Sequence, residues 1–249
     1  MDIQFLDTTD HMVYGHEGWL DISSPPASED GRRTLTFNWG HNMESHGLAR
    51  RQGLSTRVVM PDGSQQDLLI SHQTPERYLF DFTPQTKGIY HFINENTGYY
   101  VIDRDGHYLA GTLKEYPDVP NATFYRQFSH TCLMTGKPQA GEQVFAMPPL
   151  PFSLVPLQWK PWQVGETLVF SLHMENKKLA ETPIDLAHTT GSGNRVSHKE
   201  LATDRDGNLE LTIKEPGRYL LIARHRTPDG KAGLYYDTSL TYTFFFCID

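Results

Sequence analysis

The residues of this chain best suited to chemistry lie in one short stretch, residues 40–47, which reads Gly-His-Asn-Met-Glu-Ser-His-Gly. His41 and His46 carry imidazoles, Glu44 a carboxylate and Met43 a thioether. Neutral imidazole binds borderline transition metals such as zinc, copper, nickel and cobalt, and a carboxylate or thioether can complete the shell. The stretch therefore indicates a metal site, and the competing interpretation is a loop whose histidines only form hydrogen bonds.

Two further histidines are candidate ligands. His16 lies upstream, in the segment Gly-His-Glu-Gly-Trp-Leu that begins at residue 15. His91 alternates with Tyr90 and Phe92, so it lies on the opposite face of its strand and either meets solvent or reaches the first histidines. We expect one divalent transition metal bound by His16, His41 and His46, with Glu44, Met43 or His91 as further ligands. Because ligation requires neutral imidazole, binding should weaken below about pH 6.

Strands must position these residues, because the pattern along the chain is one of strands and turns. Residues 34–39 alternate polar and apolar side chains and lead directly into the histidine-bearing stretch. Similar runs rich in β-branched and aromatic residues recur between turn signals such as Pro-Asp-Gly and two Asp-x-Asp-Gly segments. Convincing helical patterns are lacking. The predicted fold is therefore all-β, with a sandwich architecture.

A domain boundary is predicted where prolines concentrate, at positions 148, 149, 151, 156 and 161. Proline has no amide donor for a central sheet and stiffens an extended connection. The prediction is two β-sandwich domains, residues 1–150 and 151–249, with the candidate metal ligands in the first. The second has the strand, turn and strand pattern of a small immunoglobulin-like unit.

Composition excludes several classes of function. The chain has 22 basic and 30 acidic side chains, a net charge of −8 and no block rich in Lys or Arg, which argues against a nucleic-acid surface. No apolar run is long enough for a transmembrane helix, and no secretory leader is evident. Cys132 and Cys247 are expected to be unpaired thiols because they fall in different predicted domains.

Enzymatic signatures are lacking. The pair His16-Glu17 is not a metalloprotease motif, because position 20 is Leu rather than a second histidine. The Asp-x-Asp-Gly segments lack the later glutamate of a calcium loop and are expected to be hairpin turns. Nucleophile elbows, phosphate loops and dinucleotide fingerprints are also missing. A non-catalytic protein is therefore expected.

Taken together, the motifs resemble the periplasmic component family of cobalt and nickel uptake systems of the energy-coupling-factor type. The resemblance rests on His-Glu-x-Trp-Leu from His16, Gly-His at His41, and Gly-Glu-Thr-Leu, Thr-Asp-x-Asp-Gly and Pro-Gly-Arg-Tyr-Leu-Leu in the second half. The second-half motifs also occur in prealbumin-like sandwiches. Only the segments around His16 and His41 point to metal in particular.

The resemblance implies a periplasmic protein that captures nickel or cobalt, or presents it to the membrane components of an importer. Its early histidine corresponds to His16 and its strand-end histidine to His41, while His46 extends the same loop. The alternative is a non-catalytic β-sandwich interaction module that binds carbohydrate or protein. Its stacking platform would be built from the following aromatic residues: Tyr99, Tyr100, Trp159, Trp162, Tyr235 and Tyr236.

Overall fold

The chain folds entirely into β-strands wherever its structure is described. The computed structural model describes residues 15–22, 31–136, 149–190 and 196–249. These ranges contain eighteen strands and no helix, which confirms the all-β prediction. Accordingly, nothing in the described ranges is a helix able to cross a membrane.

The strands form three sheets. An N-terminal outer sheet contains β1 (Glu17–Asp21), β2 (Arg33–His41), β3 (Glu44–Gly47), β6 (His72–Gln73) and β7 (Arg77–Phe82). A central sheet contains β4 (Leu54–Val59), β5 (Gln65–Leu68), β8 (Gly88–Ile102), β9 (Tyr108–Ala110), β10 (Asn121–Thr135), β14 (Pro183–Thr189), β15 (Val196–Ala202), β17 (Gly217–Thr227) and β18 (Asp237–Ile248). A C-terminal outer sheet contains β11 (Phe152–Pro156), β12 (Thr167–Met174), β13 (Lys177–Lys178) and β16 (Asn208–Thr212).

The central sheet runs in the order β15-β14-β17-β18-β10-β8-β4-β5, with β9 paired to β8. Its middle pair, β10 and β18, is parallel and aligns Thr123 with Asp237 through to Thr131 with Phe245. This pair joins the two halves of the chain in one sheet. The boundary near residue 150 stays a prediction, but residues on its two sides share a continuous hydrogen-bonded ladder.

Both faces of the central sheet are covered. On β8, Tyr90 and Phe92 belong to the core beneath the N-terminal outer sheet, whereas Ile93 belongs to the core beneath the C-terminal outer sheet. The alternation of side chains along a strand produces this division. The central sheet thus has a packed apolar interface on each of its faces.

Each outer sheet supplies large apolar side chains to its interface. Leu35, Phe37 and Phe80 fill the N-terminal core, and Phe152 and Phe170 fill the C-terminal core, all of them buried. Burying a side chain of this size stabilises the fold by roughly 1.5–3 kcal/mol. The outer sheet that carries the candidate ligands is thus held rigidly against the central one.

The two Asp-x-Asp-Gly segments form turns, as expected. In both, the first aspartate accepts hydrogen bonds from the amides two and four residues later, at 2.9 Å for Asp103 and 2.8 Å for Asp204. The first turn is the predicted hairpin, between β8 and β9. The second turn differs, because it passes from β15 in the central sheet to β16 in the outer one.

The two cysteines lie on neighbouring strands of the central sheet. Cys132 is on β10 and Cys247 on β18, and no disulfide joins them. Burial raises the pKa of Cys132 to about 12, and the nearby Cys247 adds to the rise. The absence of a disulfide agrees with the sequence-based expectation, although the sequence did not predict that the two cysteines lie on adjacent strands of one sheet.

Candidate metal site

A tight hairpin carries two of the predicted ligands. His41 is the last residue of β2, Asn42 and Met43 form the turn, and β3 carries His46. Both turn residues have positive φ, 55° and 66°, as a two-residue type I′ turn requires. A β-carbon at Gly40 would lie 1.9 Å from the carbonyl oxygen of Glu44, so only glycine allows this close approach of the strands.

His16 reaches the same place through strand pairing. β1 pairs with β2 in the register that aligns Glu17 with Gly40, which puts His16 beside the end of β2. Gln127 of β10 holds this end of β1 in position: its side-chain amide donates to the His16 carbonyl at 2.9 Å and accepts from the Gly18 amide at 3.3 Å. The central sheet therefore fixes the backbone that presents His16.

The three imidazoles converge. The nitrogen atoms His46 Nδ1 and His16 Nε2 are 3.1 Å apart, and one nitrogen from each of His16, His41 and His46 lies within 4.8 Å of the others. Ring centroids are 4.3 Å apart for His16 and His41 and 5.4 Å for His41 and His46. Since a zinc-like ion holds each nitrogen at about 2.0–2.1 Å, two ligating nitrogens lie no more than about 4.2 Å apart. The observed spacing of the three nitrogens is therefore close to that of a ligand set.

A buried carboxylate supports the cluster. The side chain of Glu17 is 1% exposed and its Oε2 lies 3.6 Å from Nδ1 of His41. Its other oxygen accepts the Asn42 amide at 2.6 Å, and Arg224 donates to Oε2 at 2.8 Å. Burial raises the pKa of Glu17, whereas the Asn42 amide, Arg224 and His41 oppose the rise. Glu17 thus connects the hairpin, a predicted ligand and the central sheet.

The residues present fit a transition-metal ion. His16 is buried, and burial, followed by the nearby His41 and His46, lowers its pKa to about 4. The imidazole is therefore neutral at ordinary pH, which is the form that binds metal. Its Nδ1 is buried without a hydrogen-bond partner among the described residues. Three imidazoles are a typical ligand set for zinc, copper, nickel and cobalt.

Two of the additional predicted ligands lie outside the cluster. Glu44 is exposed at the start of β3 and is not among the converging residues. The side chain of Met43 packs against a small apolar cluster that includes Trp19 and Phe245.

His91 is not a ligand of this site either. It lies on the face of β8 that meets the C-terminal outer sheet, where its Nδ1 is 3.1 Å from Nε2 of His130 and its ring packs edge-on against Trp159. Burial lowers the pKa of His91 to about 4. The central sheet therefore separates His91 from the histidine cluster.

Sequence reasoning missed the cavity beside the histidines. It has a volume of about 480 Å³, and its wall contains His16 and His41, the three arginines Arg50, Arg224 and Arg226, and several aromatic rings. Arg224 and Arg226 lie on β17 and Arg50 lies far from them in the sequence, so no local motif predicts that they line one cavity. A local signal was Glu17, an acidic residue at the start of a short strand whose residues are all buried.

The aromatic residues of the predicted platform are dispersed. Trp159 and Trp162 pack against the C-terminal core. Tyr100 lines the cavity, whereas Tyr99 and Tyr235 pack around Phe124 with ring centroids 5.1–5.9 Å apart. The described residues do not bring the six rings to one face.

The chain belongs to the family described as a domain of unknown function, DUF4198, whose model matches residues 13–227. No curated protein sequence matches it.

Among solved structures, one similar chain is a tetra-tandem repeat in the extending region of a large adhesion protein. It is 9% identical, with a TM-score of 0.26, and the match covers 94% of this chain and 50% of that one. The chain thus spans about half the length of that relative.

Proposed function

We propose that this protein binds one divalent transition-metal ion through His16, His41 and His46, and that it presents nickel or cobalt to the membrane components of an uptake transporter. The observation that carries the proposal is the convergence of three imidazoles from two strands and the residue before a third. The fold holds the candidate ligands in position, because Gln127 and the glycine-dependent hairpin fix the backbones that carry them.

The protonation state of His16 and the carboxylate beside His41 both favour the binding of a metal ion. His16 is neutral well below pH 7, so one ligand needs no deprotonation. The Glu17 carboxylate faces Nδ1 of His41, leaving Nε2 for the ion, in the carboxylate–histidine arrangement that orients metal ligands in many proteins. No step of this function requires bond breaking, so we infer a non-catalytic protein.

Nickel or cobalt as cargo and the periplasm as compartment are supported by the sequence motifs around His16 and His41. Ligand type alone does not select between these metals, since imidazole suits several of them. The open position beside a three-imidazole set suits cargo that must later be released to a partner.

The competing proposal is a β-sandwich interaction module for carbohydrate or protein. One observation favours it: the rings of Tyr99, Phe124 and Tyr235 cluster on β8, β10 and the segment before β18, each only partly buried. Such rings can stack on a sugar or a partner chain. This reading expects no stoichiometric metal binding.

Calorimetric titration with nickel and cobalt separates the two proposals. We expect one ion per wild-type chain, and a loss of affinity greater than about 100-fold in His41→Ala and in His46→Ala, because removing even an outer partner of a ligand costs 10–100-fold. His173→Ala, on β12 in the opposite outer sheet, is the matched control and should bind as wild type does.

Equal affinity in wild type and both cluster variants would remove these histidines from the function. A wild-type chain that binds neither metal would leave the interaction module as the better account.

A further inference from the structure

The cavity next to the histidines points to the chemical form of the cargo. We propose that it binds a small organic polycarboxylate together with the metal ion, so that the protein captures a metal chelate rather than a bare ion. This inference rests on the proposed metal site, because His16 and His41 form part of the cavity wall.

The lining of the cavity is rich in positive charge. Three guanidinium groups line the cavity, and two of them are already paired with carboxylates of the protein. Arg224 is bonded to Glu17 and Asp185 at 2.8 and 2.6 Å, and Arg226 lies 3.0 Å from Asp237. The chain as a whole is acidic, so this concentration of arginines is a local feature.

Arg50 is the arginine that a ligand would satisfy. Within the described part of the chain it forms no ion pair, and its Nε atom is buried without a hydrogen-bond partner. Leaving a buried charged donor unpaired is costly, whereas a carboxylate accepts two parallel hydrogen bonds from a guanidinium. An organic anion in the cavity would supply that partner.

The cavity also has the size and the aromatic lining of a pocket for a small organic molecule. Tyr100 stacks near Tyr125 with ring centroids 6.2 Å apart and lies 5.5 Å from Tyr108, and Trp39 also lines the cavity. Aromatic walls with a few polar groups are typical of pockets for small organic ligands, and about 480 Å³ lies within their usual size range. A hydrated inorganic ion needs neither the volume nor the rings.

The histidines and the arginines line the same cavity, so one ligand can contact both. The cavity lining combines two imidazoles with three guanidinium groups and three tyrosines. A ligand with several carboxylates could bind a metal ion at His16 and His41 through one group and Arg50 through another. Carboxylate oxygen and imidazole nitrogen are compatible donors for nickel and cobalt.

The test is calorimetry with three probes, nickel chloride, sodium citrate and nickel citrate, on wild type and Arg50→Gln. We expect wild type to bind nickel citrate at least about tenfold more tightly than citrate alone. Arg50→Gln should weaken nickel citrate by about 10- to 100-fold, the range of a charge-assisted hydrogen bond, and leave nickel chloride unchanged. Arg50→Lys keeps the positive charge but loses the planar pair of donors. Its affinity for nickel citrate should therefore lie between those of wild type and Arg50→Gln.

Arg51→Gln is the matched control, because it removes the same charge at the neighbouring exposed position. It should behave as wild type, and circular dichroism checks that each variant is folded. Unchanged nickel citrate binding in Arg50→Gln would overturn the inference, as would citrate binding that does not depend on nickel. Titration with nickel chloride tests the proposed metal site by itself. A negative result with nickel citrate would therefore not count against the proposed metal site.

Discussion

Replacing Arg224 by Met is expected to destabilise the protein by about 3 kcal/mol. The substitution leaves the buried Glu17 carboxylate without its cationic partner, and breaking a buried ion pair from one side costs about 3–5 kcal/mol. The lower end applies here because the Arg224 side chain is 42% exposed and solvent screens part of the interaction. Urea denaturation at pH 7 measures the change.

Two further variants test whether the loss of stability comes from the unpaired Glu17 carboxylate. Combining Arg224→Met with Glu17→Gln removes the uncompensated charge, so the double variant should recover most of the lost stability. Asp185→Asn removes only the exposed partner of Arg224 and should cost less than about 1 kcal/mol. A double variant less stable than Arg224→Met would show that Glu17 is not held as a buried anion.

The free energy of unfolding should fall by about 3 kcal/mol through His91 alone as the pH drops from 6.5 to 4. Burial lowers the folded-state pKa of His91 to about 4, whereas the unfolded chain titrates near 6.5. The unfolded state therefore binds more protons in this window, and stability is lost as the pH falls. His130, fully buried beside it, has its pKa shifted in the same direction by burial.

Comparison of wild type with His91→Gln isolates this effect. His16 also has a lowered pKa and adds to the loss of stability, but it is present in both proteins and cancels in the difference. Denaturation curves at pH 7, 5.5 and 4 should give a shallower pH dependence for the variant. Parallel curves would mean that His91 does not resist protonation in the folded protein.

The sequence predicted the strands well, but it did not exclude the candidate residues that lie away from the histidine cluster, for physical reasons. Alternating side chains identify a strand and its two faces, as at His91, between Tyr90 and Phe92. Alternation does not say what covers each face. His91 was therefore a candidate until the structure placed a second outer sheet over it.

Convergence is a property of strand pairing, which local patterns do not encode. His16 and His41 meet because β1 and β2 pair in one particular register. Glu17 and Arg224 are 207 residues apart and meet only because β17 lies in the central sheet. The cavity and its arginines follow from the same long-range pairing, and for that reason they were not predicted.

Nickel K-edge X-ray absorption of the loaded protein tests directly whether His16, His41 and His46 bind the ion. We expect nitrogen neighbours at roughly 2.0–2.1 Å with the outer-shell scattering of three imidazoles, reduced to two in His46→Gln and unchanged in His173→Ala. A spectrum without imidazole scattering, or one that is the same in wild type and His46→Gln, would contradict it.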